Sequence, residues 1–350
     1  MDVVGKAAAA RKLAAAAAYG GGGVSVLGAS LVGILTAEAK LARRTIGTPL
    51  EDPTPDASGW YGKGRPGPAL KFALLGDSSA VGYGVEKVEH TPGAHLASGL
   101  AEGADRRVYL RSLAVVGAQT RDLAGQIDRA LPMEPHVALI LIGANDVTHR
   151  VLPSESVRLL EQGVRRLIDA GVAVVVGTCP DLGTVEPIAP PLRQVARAWS
   201  RRLAAGQTIA VVEAGGRTVS LGSVLGPEFS ASPKVLFGPD QFHPSVAGYS
   251  SMASVLLPTL LAAVGEIPAA DVEPEAFRGE GVMPISYAAV QATKTPGTEI
   301  DGTEVGGAKR GARGRWVLLR HRRRRPPAEP ETPEHDGETP AASEADHAAG

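Results

Sequence analysis

Residues 70–84 read LKFALLGDSSAVGYG, an apolar run that ends at a glycine and continues into a carboxylate, two hydroxyls and two further glycines. The apolar part, Leu70 to Leu75, has the length and composition of a buried β-strand. The polar part either presents a nucleophilic serine at the end of that strand or wraps a backbone loop around a phosphate. The rest of the chain has to distinguish these two interpretations.

The same alternation of apolar runs and amphipathic segments continues through residues 70–264. Near-continuous Val, Ile, Leu and Ala runs are typical of strands that helices cover on both faces. We therefore predict an α/β fold, a three-layer α/β/α sandwich around a five-stranded parallel sheet, with ligands outside the carboxyl ends of the strands. The predicted strands are 70–75, 106–116, 135–143, 172–178 and 208–214, and the predicted helices are about 91–103, 120–131, 154–170, 190–205 and 246–264.

Outside residues 70–264 the composition changes. Residues 45–69 carry prolines, glycines and acids without apolar periodicity, which predicts a linker. Residues 265–350 predict a low-complexity, largely disordered tail with a basic block at 309–325. Nucleic-acid binding is not expected, because the chain has a formal net charge of −1 and no reading module accompanies the basic block. The single cysteine excludes an internal disulfide and a cysteine zinc site.

The leader, residues 1–44, contains an uncharged stretch at 13–37 that is long enough to cross a bilayer as a helix. Four consecutive glycines at 20–23 weaken that helix. Two alternatives remain open: a signal peptide with small residues near 37–39 as the cleavage site, and an Ala/Gly-rich disordered leader. We expect the protein to be membrane-associated through this segment or exported. Basic residues on both flanks leave the orientation undetermined.

Familiar phosphate and hydrolase motifs are missing around the opening stretch. The chain contains no G-x-x-x-x-G-K-[ST], and Gly76, Gly82 and Gly84 do not match G-x-G-x-x-G. Ala80 stands where the G-x-S-x-G elbow requires its second glycine. Ser78 therefore has to be judged by its partners.

A serine nucleophile needs a base, and two histidines are expected at the carboxyl ends of the strands, His149 and His243. Asp240 precedes His243 by three residues, a spacing that puts both side chains on one side of a turn. The carboxylate can then hold Nδ1–H and leave Nε2 free to accept a proton. Asp146 precedes His149 by the same three residues, so the spacing alone does not choose between the pairs.

Acyl transfer also needs donors for an oxyanion, and three candidates follow predicted strands. The side-chain amide of Asn145 follows the third strand, and the backbone N–H of Gly117 follows the second. The backbone N–H of Ser78 is the third. The absence of a side chain at Gly117 allows its N–H to approach a ligand closely.

Four short blocks of the chain resemble those of the SGNH (GDSL-type) hydrolases, in that family's order. They are Gly76-Asp77-Ser78, Gly117, Gly143-Ala144-Asn145-Asp146 and Asp240-Gln241-Phe242-His243-Pro244.

The resemblance implies a flavodoxin-like α/β/α fold and serine esterase or acylhydrolase activity without a metal or cofactor. It implies Ser78 as nucleophile, His243 as base and Asp240 as the acid that orients it. The implied oxyanion hole is Ser78, Gly117 and Asn145. We expect Asp77 to be structural and His149 to lie at the rim.

The expected function is hydrolysis or transfer of the acyl group of a small-molecule or lipid ester. The alternative is a non-catalytic, membrane-tethered ligand-binding module on the same fold.

Overall fold

The computed structural model describes residues 33–38, 40–41 and 54–265, together with three two-residue strands in the C-terminal part. Of the predicted membrane or signal segment 13–37, only residues 33–37 are described, and they are helical. The basic block 309–325 lies outside the described residues except for its first residue.

The domain is built on one sheet of seven strands, which are β1 Gly59–Tyr61, β2 Leu70–Gly76, β3 Val108–Ser112, β4 Val137–Leu141, β5 Ala173–Gly177, β6 Arg217–Val219 and β7 Glu299–Ile300. Their order across the sheet is β1-β3-β2-β4-β5-β6-β7. All pairings from β3 to β7 are parallel, and β1 lies antiparallel on β3 at the edge. The predicted parallel sheet is confirmed in β3, β2, β4 and β5; β6 is the fifth parallel strand, and β7 is a sixth that the sequence did not predict. Two further strands, β8 Glu304–Val305 and β9 Ala308–Lys309, form a separate pair.

Helices cover both faces of this sheet. The α-helices within residues 54–265 are α1 Ser78–Val81, α2 Pro92–Gly103, α3 Leu123–Ala130, α4 Ala144–Thr148, α5 Pro153–Asp169, α6 Leu192–Glu213, α7 Leu221–Val224, α8 Gly226–Ala231, α9 Pro233–Leu236 and α10 Val246–Ala263. Four further short 3-10 turns are Val88–His90, Thr120–Asp122, Leu131–Met133 and Leu182–Thr184.

The central strand β2 shows why its apolar run is nearly continuous. Successive side chains of a strand point to opposite faces. Phe72 and Leu74 pack into the core beneath α2 and α10, whereas Ala73 and Leu75 pack into the core beneath α3 and α5. Both sets are fully buried, so the three-layer α/β/α prediction is confirmed.

The prediction of the fifth strand at 208–214 is wrong. Residues 208–213 are the last turns of α6, and the strand is β6, which follows Gly215 with its positive φ. A short apolar run has the same pattern in a buried helix as in a buried strand. Gly206 lies inside α6, where it allows a close approach to α5: a Cβ on Gly206 would be 2.8 Å from a Val157 methyl.

The predicted linker 45–69 is also shorter than expected. Residues 54–69 are described, and they contain β1 and the buried side chain of Ala57. The Trp60 ring packs against Tyr109 of β3 with 5.0 Å between ring centroids. The folded unit therefore begins before Leu70.

Among the described residues, α10 is the one helix long and apolar enough to cross a membrane. Half of it is buried inside the domain, and the Tyr249 hydroxyl donates to the backbone oxygen of Tyr83. The apolar character of α10 is thus accounted for by packing against the sheet.

Candidate active site

The carboxyl end of β2 is held against β4 by a backbone contact that only glycine permits. Gly76 has a φ of +134°, and a Cβ there would lie 1.9 Å from the Leu141 oxygen. The buried Gln126 side chain accepts from Gly76 N at 2.7 Å and donates to Gly76 O at 2.9 Å. The backbone is therefore fixed immediately before the serine.

Asp77 begins the short helix α1 and so orients Ser78. Its Oδ1 accepts from the Ser79 backbone N–H at 2.9 Å and from the Ser79 hydroxyl at 2.7 Å. Burial raises the pKa of Asp77 to about 6, although the hydrogen bonds from Ser79 and the charge of His243 act in the opposite direction. Asp77 is 1% exposed, and its side chain caps the helix that carries Ser78.

Ser78, His243 and Asp240 form one continuous chain of hydrogen bonds. Ser78 Oγ lies 2.9 Å from His243 Nε2, and His243 Nδ1 lies 2.6 Å from Asp240 Oδ2. An ionised carboxylate can only accept, so Nδ1 carries the proton and Nε2 is free to accept one from the hydroxyl. The structure thus brings together three residues that are up to 165 positions apart in the sequence.

The Asp240 carboxylate also stabilises the turn that carries Asp240 and His243. Asp240 Oδ1 accepts from the backbone N–H of Phe242 and of His243, both at 3.0 Å. Burial by itself raises the pKa of Asp240. The hydrogen bonds from His243 and Phe242 and the His243 charge outweigh burial and lower that pKa below its ordinary value. Asp240 is therefore held as a carboxylate against the imidazole.

Two aromatic rings limit the movement of the imidazole. Tyr83 lies 4.5 Å from the His243 ring centroid, and Phe242 meets the ring edge-on at 5.0 Å. Since Tyr83 follows α1 and Phe242 belongs to the histidine loop, both segments that supply the site contribute to this packing.

The three predicted oxyanion donors lie at the ends of three adjacent strands. Ser78 N is the first amide of α1, where a helix offers no internal acceptor. Gly117 follows β3 in an exposed loop with a φ of +81°. Asn145 follows β4, and its amide donates to Ala118 O at 3.1 Å, which leaves the second amide hydrogen for another acceptor.

The competing pair, Asp146 and His149, is not formed. Asp146 is buried and accepts from the backbone N–H and the hydroxyl of Thr120 at 2.8–3.3 Å. His149 is exposed, and its Nδ1 lies 2.8 Å from Asn145 O. Asp146 thus joins α4 to the turn at Thr120 and holds the segment that carries Asn145.

Sequence reasoning missed the supporting polar residues of the site. Gln126 lies on the otherwise apolar face of α3, between Leu123 and Ala130, and that one polar residue among apolar ones is the signal that could have identified it. Its partner Gly76 is 50 residues away, so spacing gives no indication of the contact.

A cavity of about 100 Å³ opens beside Ser78 and His243. Its walls are mainly apolar and come from the ends of β4 and β5, the loop at 180–185, helices α7 and α8, and α10. The Ser78 hydroxyl, the His243 imidazole and an apolar recess therefore meet at the carboxyl end of the sheet.

The amino-acid sequence matches one protein family and is similar to a known esterase. The sequence profile of the GDSL-like lipase/acylhydrolase family matches residues 74–250. The chain is 40% identical over 256 residues to the GDSL-like esterase Rv1075c of Mycobacterium tuberculosis (strain ATCC 25618 / H37Rv), covering 70% of this chain and 80% of that protein.

Two solved structures are also similar. LAE5, an alpha/beta hydrolase enzyme from the metagenome of Lake Arreo, is 21% identical with a TM-score of 0.45 and covers 57% of this chain and 96% of its own. A putative GDSL-like lipase from Parabacteroides merdae ATCC 43184 is 19% identical with a TM-score of 0.41, and the match covers 57% of this chain and 96% of that protein.

Proposed function

The chain belongs to the GDSL-like lipase/acylhydrolase family and is an esterase or acylhydrolase, and we propose that it works through an acyl-enzyme formed on Ser78. The observation that carries this proposal is the hydrogen-bonded chain from Asp240 through His243 to Ser78, which ends beside an apolar cavity. The substrates are carboxylic esters of small molecules or lipids.

In the first half-reaction His243 Nε2 takes the proton of the Ser78 hydroxyl while Oγ attacks the ester carbonyl carbon. Asp240 stabilises the imidazolium through Nδ1–H. The carbonyl oxygen becomes an oxyanion that accepts from Ser78 N, Gly117 N and the Asn145 amide. When the bond to the alcohol oxygen breaks, Nε2 returns the proton to the departing alcohol, and the acyl group remains on Ser78.

In the second half-reaction water replaces the alcohol. His243 takes a proton from the water as the water oxygen attacks the acyl carbonyl, and the same donors hold the second oxyanion. Collapse of this intermediate releases the carboxylic acid and restores the Ser78 hydroxyl with the proton from Nε2. An acceptor hydroxyl in place of water gives acyl transfer, and product analysis with added alcohols distinguishes the two outcomes.

Substitution of the nucleophile tests this mechanism. We expect Ser78→Ala to lower kcat/KM for p-nitrophenyl butyrate by about 10⁴-fold or more, because removal of one member of a catalytic triad abolishes its joint action. Far-ultraviolet circular dichroism and thermal unfolding of the variant should match the wild type. Normal turnover by a folded Ser78→Ala variant would contradict the proposal.

We also propose that residues 13–37 associate the protein with a membrane, which rests on the length and lack of charge of that stretch. Fractionation of the full chain should place it with membranes, and deletion of residues 13–37 should release it. Recovery of the full chain in the soluble fraction would contradict this assignment.

A further inference from the structure

The cavity beside Ser78 has a polar end and an apolar interior. Ser78 and His243 line the end where the reaction is proposed to occur. The interior is lined by buried side chains of α7, α8 and α10 and of the residue between α7 and α8: Leu221, Phe229, Met252 and Leu225. No hydrogen-bonding group of these four side chains faces a ligand, so the interior suits a hydrocarbon chain.

The order of events on Ser78 favours the acyl chain as the occupant, rather than the alcohol. The alcohol leaves in the first half-reaction and needs an open route to solvent. The acyl group stays covalently attached until water arrives, so an enclosed recess can hold it through both steps. Apolar walls also hold the chain by the ordinary hydrophobic effect.

One glycine lines the cavity at the gap between the start of α8 and the loop at 181–184. Gly226 is half-buried, lines the cavity, and begins α8 with a φ outside the left-handed region. A Cβ on Gly226 would meet only the Cβ of Asp181 at 3.9 Å and a Thr184 methyl at 4.0 Å. A methyl group therefore fits there, whereas a longer side chain has to project into the gap.

The opposite wall of this gap is held by ionic contacts. The Asp181 side chain is 3% exposed, and its Oδ2 accepts from Nε and Nη2 of Arg201 at 2.9 and 2.7 Å. Its Oδ1 accepts from Gly183 N at 2.8 Å. Because Asp181 anchors this loop to α6, we expect the loop to keep its position when a larger side chain replaces Gly226.

We propose that the cavity binds the acyl chain of the ester and that Gly226 determines how long this chain can be; this rests on the proposed function. At roughly 10–15 Å³ of such space per water-sized group, a cavity of this volume takes about seven to ten heavy atoms. The protein therefore accepts unbranched aliphatic acyl chains up to about eight carbons and discriminates against dodecanoyl chains.

The test uses p-nitrophenyl acetate, butyrate, hexanoate, octanoate and dodecanoate with Gly226→Ala, Gly226→Leu and the wild type. We expect Gly226→Leu to lower the octanoate-to-acetate ratio of kcat/KM by about tenfold or more, as the loss of room for several methylenes implies. Gly226→Ala is expected to lower it by less, and alanine favours the helix, so this variant should fold. Ser230→Leu adds the same side chain to an exposed site on α8 and should leave the ratio unchanged.

Two outcomes would overturn the proposal. One is an octanoate-to-acetate ratio that stays at the wild-type value in folded Gly226→Ala and Gly226→Leu. The other appears with methyl and hexyl acetate: a Gly226→Leu effect that follows the length of the alcohol places the alcohol in the cavity. Both results leave the proposed function intact as long as Ser78→Ala is inactive, whereas an active Ser78→Ala contradicts the proposed function itself.

Discussion

Two segments of the molecule carry an aspartate three residues before a histidine, and they have different structures. Asp146 and His149 belong to helix α4 and its C-terminal end, where the carboxylate is buried against Thr120 and the imidazole is exposed. Asp240 and His243 belong to a turn with Gln241 at a φ of +56°, in which carboxylate and imidazole are 2.6 Å apart. Identical spacing therefore gives a hydrogen-bonded aspartate–histidine pair in one place and a structural anchor in the other, depending on backbone conformation and competing donors.

The largest difference between the segments is expected in catalysis by the two histidines. His243→Ala should lower kcat/KM for p-nitrophenyl butyrate by about 10⁴-fold or more, because Ser78 loses the group that takes its proton. His149→Ala should remain within about threefold of the wild type, since its ring contacts the Asn145 backbone and not the serine. Steady-state kinetics on both purified variants measure the contrast. Comparable losses in the two variants would show that His149 takes part in the reaction.

Substitution of the two aspartates should differ in its main effect, which is on activity for Asp240 and on stability for Asp146. Asp240→Asn should lower kcat by about 10²–10⁴-fold, because an amide neither selects the required tautomer nor stabilises the imidazolium. Asp146→Ala should lower the free energy of unfolding by about 1–3 kcal/mol, because the buried N–H of Thr120 loses its acceptor and the Thr120 hydroxyl keeps only its contact with Ser156. Urea unfolding and kinetics on each variant give both quantities. Wild-type stability of the Asp146→Ala variant would contradict the role of Asp146 in joining α4 to the turn at Thr120.

The smallest effect is in how stability depends on pH, and its sign differs between the two carboxyls. Burial raises the pKa of Asp146 above its ordinary 3.8, so the native state holds this proton more tightly and loses stability as pH rises from about 4 through that raised pKa. The pKa of Asp240 is lowered, so its contribution is present above 3.8 and is lost as pH falls through the lower value.

Urea unfolding between pH 3 and 7 measures these contributions as the free energy of unfolding of the wild type minus that of each Asp→Asn variant. The difference should fall with rising pH for Asp146→Asn and rise with rising pH for Asp240→Asn. The same sign of slope for both variants would contradict the opposite electrostatic environments of the two carboxyls.

Most of the sheet was predictable from the sequence because its central strands are buried on both faces. The runs at 70–75, 135–143 and 172–178 correspond to β2, β4 and β5. The prediction of a strand at 208–214 is wrong because the last turns of α6 are partly buried and therefore apolar, and the close contact of α6 with α5 at Gly206 is not visible in the sequence. The edge strand β1 was hidden because its neighbours are prolines and glycines and its partner is about 50 residues away.

The site was predictable to the level of residue types and their order along the chain. Ser78 follows a predicted strand, His243 is one of two histidines expected at the carboxyl ends of the strands, and Asp240 precedes it by three residues. The three-residue spacing does not choose between Asp240–His243 and Asp146–His149, and the choice comes from the family resemblance. The structure adds the physical reason, since Thr120, which occupies the Asp146 carboxylate, is 26 residues from it in the sequence. The cavity and the place of Gly226 in it depend on how loops and short helices pack, which composition does not specify.

Covalent trapping of the nucleophile tests the central claim most directly. The full chain is incubated with a fluorophosphonate, and peptide mass spectrometry locates the adduct in the wild type, Ser78→Ala and His243→Ala. The proposed mechanism predicts a stoichiometric adduct on Ser78 in the wild type, none in Ser78→Ala and a much slower reaction in His243→Ala. An unlabelled Ser78 in a wild-type protein that hydrolyses esters, or an adduct on another residue, would contradict it.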